Sequence, residues 1–129
     1  VQFDYIAIEK LRSGVNSGDA ETLVINPSMF SRQIGPQKID IQRSWGGVAD
    51  INYQYKKDSF SIKFNDVTGA TREQMDEFLY SAVKNQTFTF TDPEESNEIK
   101  AGVLTSFSRN RVSTGVIDWY TYDMVIEDL

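Results

Sequence analysis

The sequence predicts a mainly β domain carrying one flanking helix. Three observations point there. Short runs alternate apolar and polar residues with the two-residue period of a half-buried strand, most clearly at Phe60, Ile62 and Phe64. Turn-forming clusters punctuate these runs, among them Asn26-Pro27, Gly46-Gly47, Lys57-Asp58 and Asp92-Pro93. A single stretch changes to helical period, placing Met75, Phe78, Leu79, Ala82 and Val83 at i, i+3, i+4, i+7 and i+8.

Taken in order, Phe3 to Ile8 reads as a first strand with Phe3, Tyr5 and Ala7 on one side. The turn-rich Ser13 to Asp19 follows, then a short strand from Thr22 to Ile25, stopped by Asn26-Pro27. Pro27 to Lys38 has two prolines and little periodicity, so it reads as a long loop exposing Met29, Phe30 and Ile34, apolar residues that suit docking on a neighbour or local packing. Ile39 to Trp45 and Val48 to Tyr55 form a hairpin around Gly46-Gly47.

A strand from Ser59 leads into the helix. Thr71 is placed to cap it and Gln74 to complete a capping box. Glu73, Asp76 and Glu77 fall where the helix dipole favours negative charge, Lys84 where it favours positive, and Asn85 suits a left-handed C-terminal position. Burying Met75, Phe78 and Leu79 is worth roughly 5–8 kcal/mol gross. A helix this short needs a sheet beneath it, and Phe60, Ile62, Phe64, Phe88 and Phe90 are the expected floor. After Phe88-Phe90, the acidic Asp92 to Glu98 reads as a solvated hairpin tip. Ile99 to Phe107 is a strand with Ile99, Ala101, Val103, Thr105 and Phe107 facing one way, and Arg109 to Gly115 is a turn region. Val116 to Glu127 is the last strand, with Tyr120, Tyr122, Met124 and Ile126 on one face and Ile117, Trp119 and Val125 on the other. Apolar residues on both faces call for cover on both, by a second sheet or another subunit.

The 129 residues fit a single domain with a real core, residues 1–38 supplying N-terminal strands and a loop. The net charge of −6, with Lys and Arg scattered, offers no counterion-release drive toward nucleic acid. With no Cys and no His, thiolate nucleophiles, disulfides, Cys-ligated metals and a Ser-His-Asp triad are excluded. No apolar run approaches the ~18–20 residues of a membrane span, so no membrane partner is expected.

No motif carries chemistry. Ser13 to Asp19 lacks the Gly-Lys-Ser/Thr of a phosphate cradle. Asp92 to Glu98 lacks the alternating ligands and internal Gly of a calcium loop. The carboxylates Asp40, Asp50, Asp58, Asp66, Asp76 and Glu94 sit at turns or on polar faces, where solvated acids belong. No catalytic residue, cofactor or metal ligand is expected, and the chain is read as not an enzyme. Trp45, Tyr53, Tyr55, Trp119 and Tyr120 would suit a sugar- or peptide-binding β-sandwich, which is the alternative reading.

The order of elements carries a resemblance. Phe60-Ser61-Ile62-Lys63-Phe64 leads to Val67-Thr68. Thr71 to Leu79 opens the helix, and Thr87 to Pro93 and Ala101-Gly102-Val103 follow. Tyr120 to Glu127 then forms an aromatic-rich final strand. This pattern resembles the minor tail and distal-tail proteins of long-tailed bacteriophages, whose core is similar to that of tail-tube proteins. It covers roughly the last 70–90 residues, and the first 38 residues carry no part of it.

The resemblance implies an antiparallel β-sandwich or incomplete barrel with its helix at the flank. It implies a structural, non-catalytic role as a homo-oligomeric ring in the tail tube, tip, baseplate or collar, in contact with other tail proteins. Such a protein is assembled in the host cytoplasm and resides in the virion. DNA passes through the lumen without sequence-specific binding, which an acidic chain suits. Met29, Phe30, Ile34, Trp45 and Trp119 are the candidate subunit contacts.

Overall fold

The structure, a computed structural model, describes residues 1–34, 39–43, 49–53, 58–84, 87–115 and 117–128. Among the described residues, nine strands and one α-helix follow the order β1 Gln2–Ile6, β2 Ala20–Val24, β3 Met29–Gln33, β4 Ile39–Arg43, β5 Ala49–Tyr53, β6 Ser59–Val67, α1 Gly69–Val83, β7 Phe88–Asp92, β8 Glu98–Thr114 and β9 Ile117–Asp128. Seven strands make one antiparallel sheet in the order β2-β1-β7-β8-β9-β6-β3, and β4 pairs with β5 in a two-stranded sheet. Trp45, Gly46-Gly47, Tyr55 and Asn85 lie outside the described residues.

Strand alternation sets one face of the large sheet inward. Phe3 and Tyr5 of β1, Leu23 of β2, Phe60, Ile62 and Phe64 of β6, Phe88 and Phe90 of β7 and Tyr122, Met124 and Ile126 of β9 are all buried. The sheet curls tightly around them. Between β7 and β6 lie two intervening strands, so flat spacing would hold Phe90 and Phe60 about 14 Å apart. Their ring centroids are 5.0 Å apart. Phe3 and Phe64, one strand further apart in the order, meet at 6.3 Å. Arg32 on the edge strand β3 bonds Glu95, in the 3-10 turn Pro93–Glu95 between β7 and β8, and so fastens the curl across the sheet.

Helix α1 covers one end of this concave face. Met75, Phe78, Leu79 and Ala82 are buried on it, while Val83 is half exposed. Phe78 stacks on Phe3, Phe88 and Tyr5 with ring separations of 4.7, 4.9 and 5.2 Å. The expected floor residues are all in the core, and Phe3 and Tyr5 of β1 join them as the helix's nearest aromatic partners.

The helix start differs from the capping-box expectation. The helix begins at Gly69 with Thr68 as N-cap, and the Thr68 side chain makes no capping bond. Gln74 instead donates to the Thr22 carbonyl of β2 at 2.7 Å, because tertiary packing claims its amide. Asp76 and Glu77 do not serve the dipole either. They lie beyond the first turn and are buried against the sheet.

Four further expectations are corrected. Met29–Gln33 is a strand, not a loop. Its pairing with β6 sets Phe30 opposite Ile62 and Arg32 opposite Phe60. An arginine at an inward position hid the alternation, and Arg32 is accommodated because Asp58 accepts from its Nε at 3.0 Å. Arg109 to Thr114 continues β8 instead of turning, and the hairpin reverses at Gly115, whose φ of 75° suits glycine. Nor do Ile99 and Phe107 share a face. A register shift between Leu104 and Ser106 places Phe107 opposite Met124, while Ile99 and Ala101 pair with Thr91 and Thr89 on the outer face. The Asp92 to Glu98 tip is also less solvated than expected. Asp92 is fully buried, caps the 3-10 turn through the Glu94 N–H and holds Lys100 at 2.9 Å.

Candidate functional site

Two adjacent carboxylates on α1 organise the polar part of the molecule. Neighbours on a helix point about 100° apart, so Asp76 and Glu77 serve different partners. Glu77 is fully buried. Its Oε1 accepts from Tyr5 Oη at 2.7 Å, and its Oε2 accepts from the backbone N and the Nε of Arg12 at 2.9 and 3.0 Å. Arg12 also reaches Glu21 of β2 at 3.1 Å. Burial alone would raise the Glu77 pKa, but the bonds from Arg12 and Tyr5 outweigh it and hold the carboxyl below its usual range.

Asp76 faces the β8–β9 hairpin. Its Oδ1 accepts from Tyr122 Oη at 2.7 Å, and its Oδ2 accepts from Arg109 at 2.9 Å and from Arg72 at 3.3 Å. The two guanidinium carbons lie 5.1 and 5.2 Å from the centre of the Tyr120 ring, a cation–π arrangement. Burial would lower the Arg109 pKa, but the bond to Asp76 reverses this and raises it, so the charge is permanent. The Tyr5 and Tyr122 phenols are pushed far above their ordinary value, first by burial and then by their carboxylate partners. They remain protonated donors.

Between the loop after β1, the start of α1 and the β8–β9 hairpin lies a cleft of about 480 Å³. Lys10, Arg12, Arg72 and Arg109 line it against only Glu73 and Asp76, with Tyr120 as the aromatic wall. Lys10 is exposed, and its Nζ sits 4.6 Å from the Tyr80 ring centre. Each guanidinium has five N–H donors, and Asp76 takes one from Arg72 and one from Arg109. With Arg12 committed to Glu77 and Glu21, the recess owes its positive excess to Lys10, Arg72 and Arg109 against Glu73 and Asp76, in a chain of net charge −6. Its groups can hold an anion. Among the described residues no three acidic groups converge on a possible metal position.

The residues singled out in the sequence are dispersed. Met29 and Ile34 are exposed at the β3 edge. Phe30 is turned inward, its ring 5.7 Å from Phe60. Trp119 is half-buried near the start of β9, and Trp45 falls outside the described residues. None of the four described ones lines the cationic cleft. The cleft's cations come from positions 10, 12, 72 and 109, on a loop, a helix and a strand, and no spacing in the sequence connects them. A second cleft of about 420 Å³, with Val83, Leu104 and Phe107 in its wall, is mostly apolar.

Among the described residues no helix is long and apolar enough to cross a membrane. Compared with known protein families and with curated proteins, the chain matches none.

Proposed function

We propose that this chain is a structural subunit of a bacteriophage tail, built on an antiparallel sandwich or incomplete barrel and assembled into a homo-oligomeric ring in the tube, tip or collar. The observation that carries the reading is the state of the sheet's two edges. Among the described residues, β2 pairs only with β1 and β3 only with β6. Both leave a row of backbone groups without a strand neighbour, and both carry apolar side chains in solvent. Val24 is 69% exposed on one edge, and Met29 and Ile34 are 51% and 63% exposed at the other. Folded monomers usually blunt such edges with charge or proline. A ring meets its neighbours through two different patches per copy, and two open edges on opposite sides of one sheet supply that pair.

The outer face of the sheet agrees with a lumen for DNA. Asp4, Thr89, Ser61, Asp123 and Glu127 share it, as the cross-strand pairing shows, with Lys63 as a cation among them. Ile99, Ala101, Val103 and Val125 share that face, and the excess of acids over the cation among its charged groups favours a polyanion passing without sticking.

Mass measured in solution across concentration, together with images of the assembled particle, tests the proposal. The wild-type chain should form closed oligomers of one size. Val24→Lys should leave the fold intact, with a stability change within about 0.5 kcal/mol, because the residue is exposed, but should abolish the oligomer. Oligomers unaffected by a charge on β2 would remove the edge contact from the proposal, and a chain that stays monomeric at every concentration would remove the ring.

A further inference from the structure

The cationic cleft and the acidic β7–β8 turn lie at opposite ends of the same sheet. β1 and β7 run antiparallel with Phe3 opposite Phe90. The end of β1 that leads to Lys10 therefore points away from the Pro93–Glu95 turn. β8 shows the separation directly, since Glu98 begins it beside the turn and Arg109 stands in the cleft wall. About 36 Å of strand separates them at ~3.3 Å per residue.

Each end presents a charge without an opposite partner. Among the described residues, Lys10 has no acidic partner, and its ammonium rests on the Tyr80 ring. Glu94, exposed at the turn, has among the described residues no cation on its carboxylate. Its neighbour Glu95 is held by Arg32 and Lys100, which fixes the turn's backbone and leaves Glu94 at its surface. A rigid sheet keeps the two charges from meeting within one copy. Two copies can bring them together.

We propose that the cleft receives the Asp92–Glu98 turn of a second copy of this chain, with the Glu94 carboxylate seated between Lys10 and the Arg72–Arg109 pair. This deepens the ring reading and rests on it, because it assigns a contact between copies of an assembling protein. The contact is head-to-tail, since donor and acceptor sit at opposite poles of each copy, and it repeats from copy to copy. Charge complementarity selects this partner. With Arg12 paired to Glu77 and Glu21, the cleft lining sets Lys10, Arg72 and Arg109 against Glu73 and Asp76, and the turn carries Asp92, Glu94, Glu95 and Glu98 against Lys100 and Arg32. Arginines already held by Asp76 and stacked on Tyr120 are preorganised, so binding freezes little further motion.

Charge exchange on the full-length chain tests the contact, read by sedimentation velocity, with circular dichroism melts confirming that each variant folds. Lys10 and Glu94 are exposed, and neither belongs to the core. Lys10→Glu and Glu94→Lys should each lower the association constant about tenfold, and the double variant should recover to within about threefold of wild type, as expected for a direct charge pair. Wild-type association should weaken as salt rises from 0.05 to 0.5 M, about the range over which surface charges are screened. Single exchanges without effect, or a double variant that loses what both singles lose, would overturn this contact and leave the edge-paired ring standing. A wild-type chain that remains monomeric in every condition would overturn both.

Discussion

Tyr122 Oη donates to Asp76 Oδ1 at 2.7 Å, and this buried bond ties the last strand of the sheet to its helix. The other carboxylate oxygen binds Arg109 of the neighbouring strand, so β8, β9 and α1 converge on one side chain. Position 76 thus links residues far apart in the chain, and it does so behind the cationic cleft.

The two ends of that bond should differ in their energetic weight. Tyr122→Phe removes one donor and leaves Asp76 with two guanidiniums, a loss of about 1 kcal/mol. Asp76→Ala strands the Tyr122 hydroxyl in the core and two like charges beside each other, a loss of about 3 kcal/mol. Urea unfolding at constant m-value measures both. Equal losses would show that the phenol, not the arginines, accounts for what the carboxylate contributes.

Glu77 should control acid stability. Its pKa in the folded protein lies below its usual value, against the pull of burial, because Arg12 and Tyr5 bond the charged form. A carboxyl depressed on folding contributes stability that is complete above its unfolded pKa, near 4.3, and is lost as pH falls through the folded value. Glu77→Gln should therefore be less stable than wild type at pH 7 by about 2 kcal/mol, and the gap should close on acidification below about pH 4. Paired unfolding curves from pH 7 to pH 3 give the answer, and a gap independent of pH would remove the charge from the account.

These charges also mark the limit of what the sequence discloses. The core was legible because burial leaves a period. Phe60, Ile62 and Phe64 alternate, Met75, Phe78, Leu79 and Ala82 follow the helical repeat, and all seven are buried. β3 was not legible, because its inward positions hold Phe30 and then Arg32, and an inward arginine reads as polar until Asp58 and Glu95 are placed around it. The cleft was illegible for the same reason. Asp76 and Glu77 look like dipole-facing surface acids; Arg72 stands one helical turn before Asp76, but only the fold of the chain brings Arg12 to Glu77 and Arg109 to Asp76. Periodicity reports burial of apolar groups, and it is silent on polar groups whose burial depends on partners far away in sequence.

Gly102 offers a test of packing within the sheet. It is buried in β8 opposite Phe88, and a Cβ placed on it would stand 2.7 Å from Ile126 Cγ2 and 2.9 Å from Phe90 Cε1. Both atoms belong to fully packed core side chains and cannot swing away. Gly102→Ala should therefore destabilise by about 1–3 kcal/mol through overpacking, although alanine suits a strand better than glycine. Thermal melts check it, and a variant as stable as wild type would mean that Phe90 and Ile126 have room to shift.

Phe78 carries the decisive test of how the helix sits. Its side chain is fully buried, with three aromatic rings within 5.2 Å of its own. The two carboxylates that precede it on the helix are tolerated because arginines and tyrosines meet them. At position 78 the ring neighbours are Phe3, Tyr5 and Phe88, and the Tyr5 hydroxyl is already committed to Glu77. A carboxylate there would be buried without a counter-charge, so Phe78→Asp should leave the chain unfolded at neutral pH, with a loss of at least about 4 kcal/mol. Phe78→Leu keeps the apolar contact but loses ring volume, and should fold with a loss of about 1–2 kcal/mol. Near- and far-ultraviolet circular dichroism separates the outcomes. A cooperatively folded Phe78→Asp variant would require the helix to present another face to the sheet, and the Tyr122–Asp76 bond would then have to break as well.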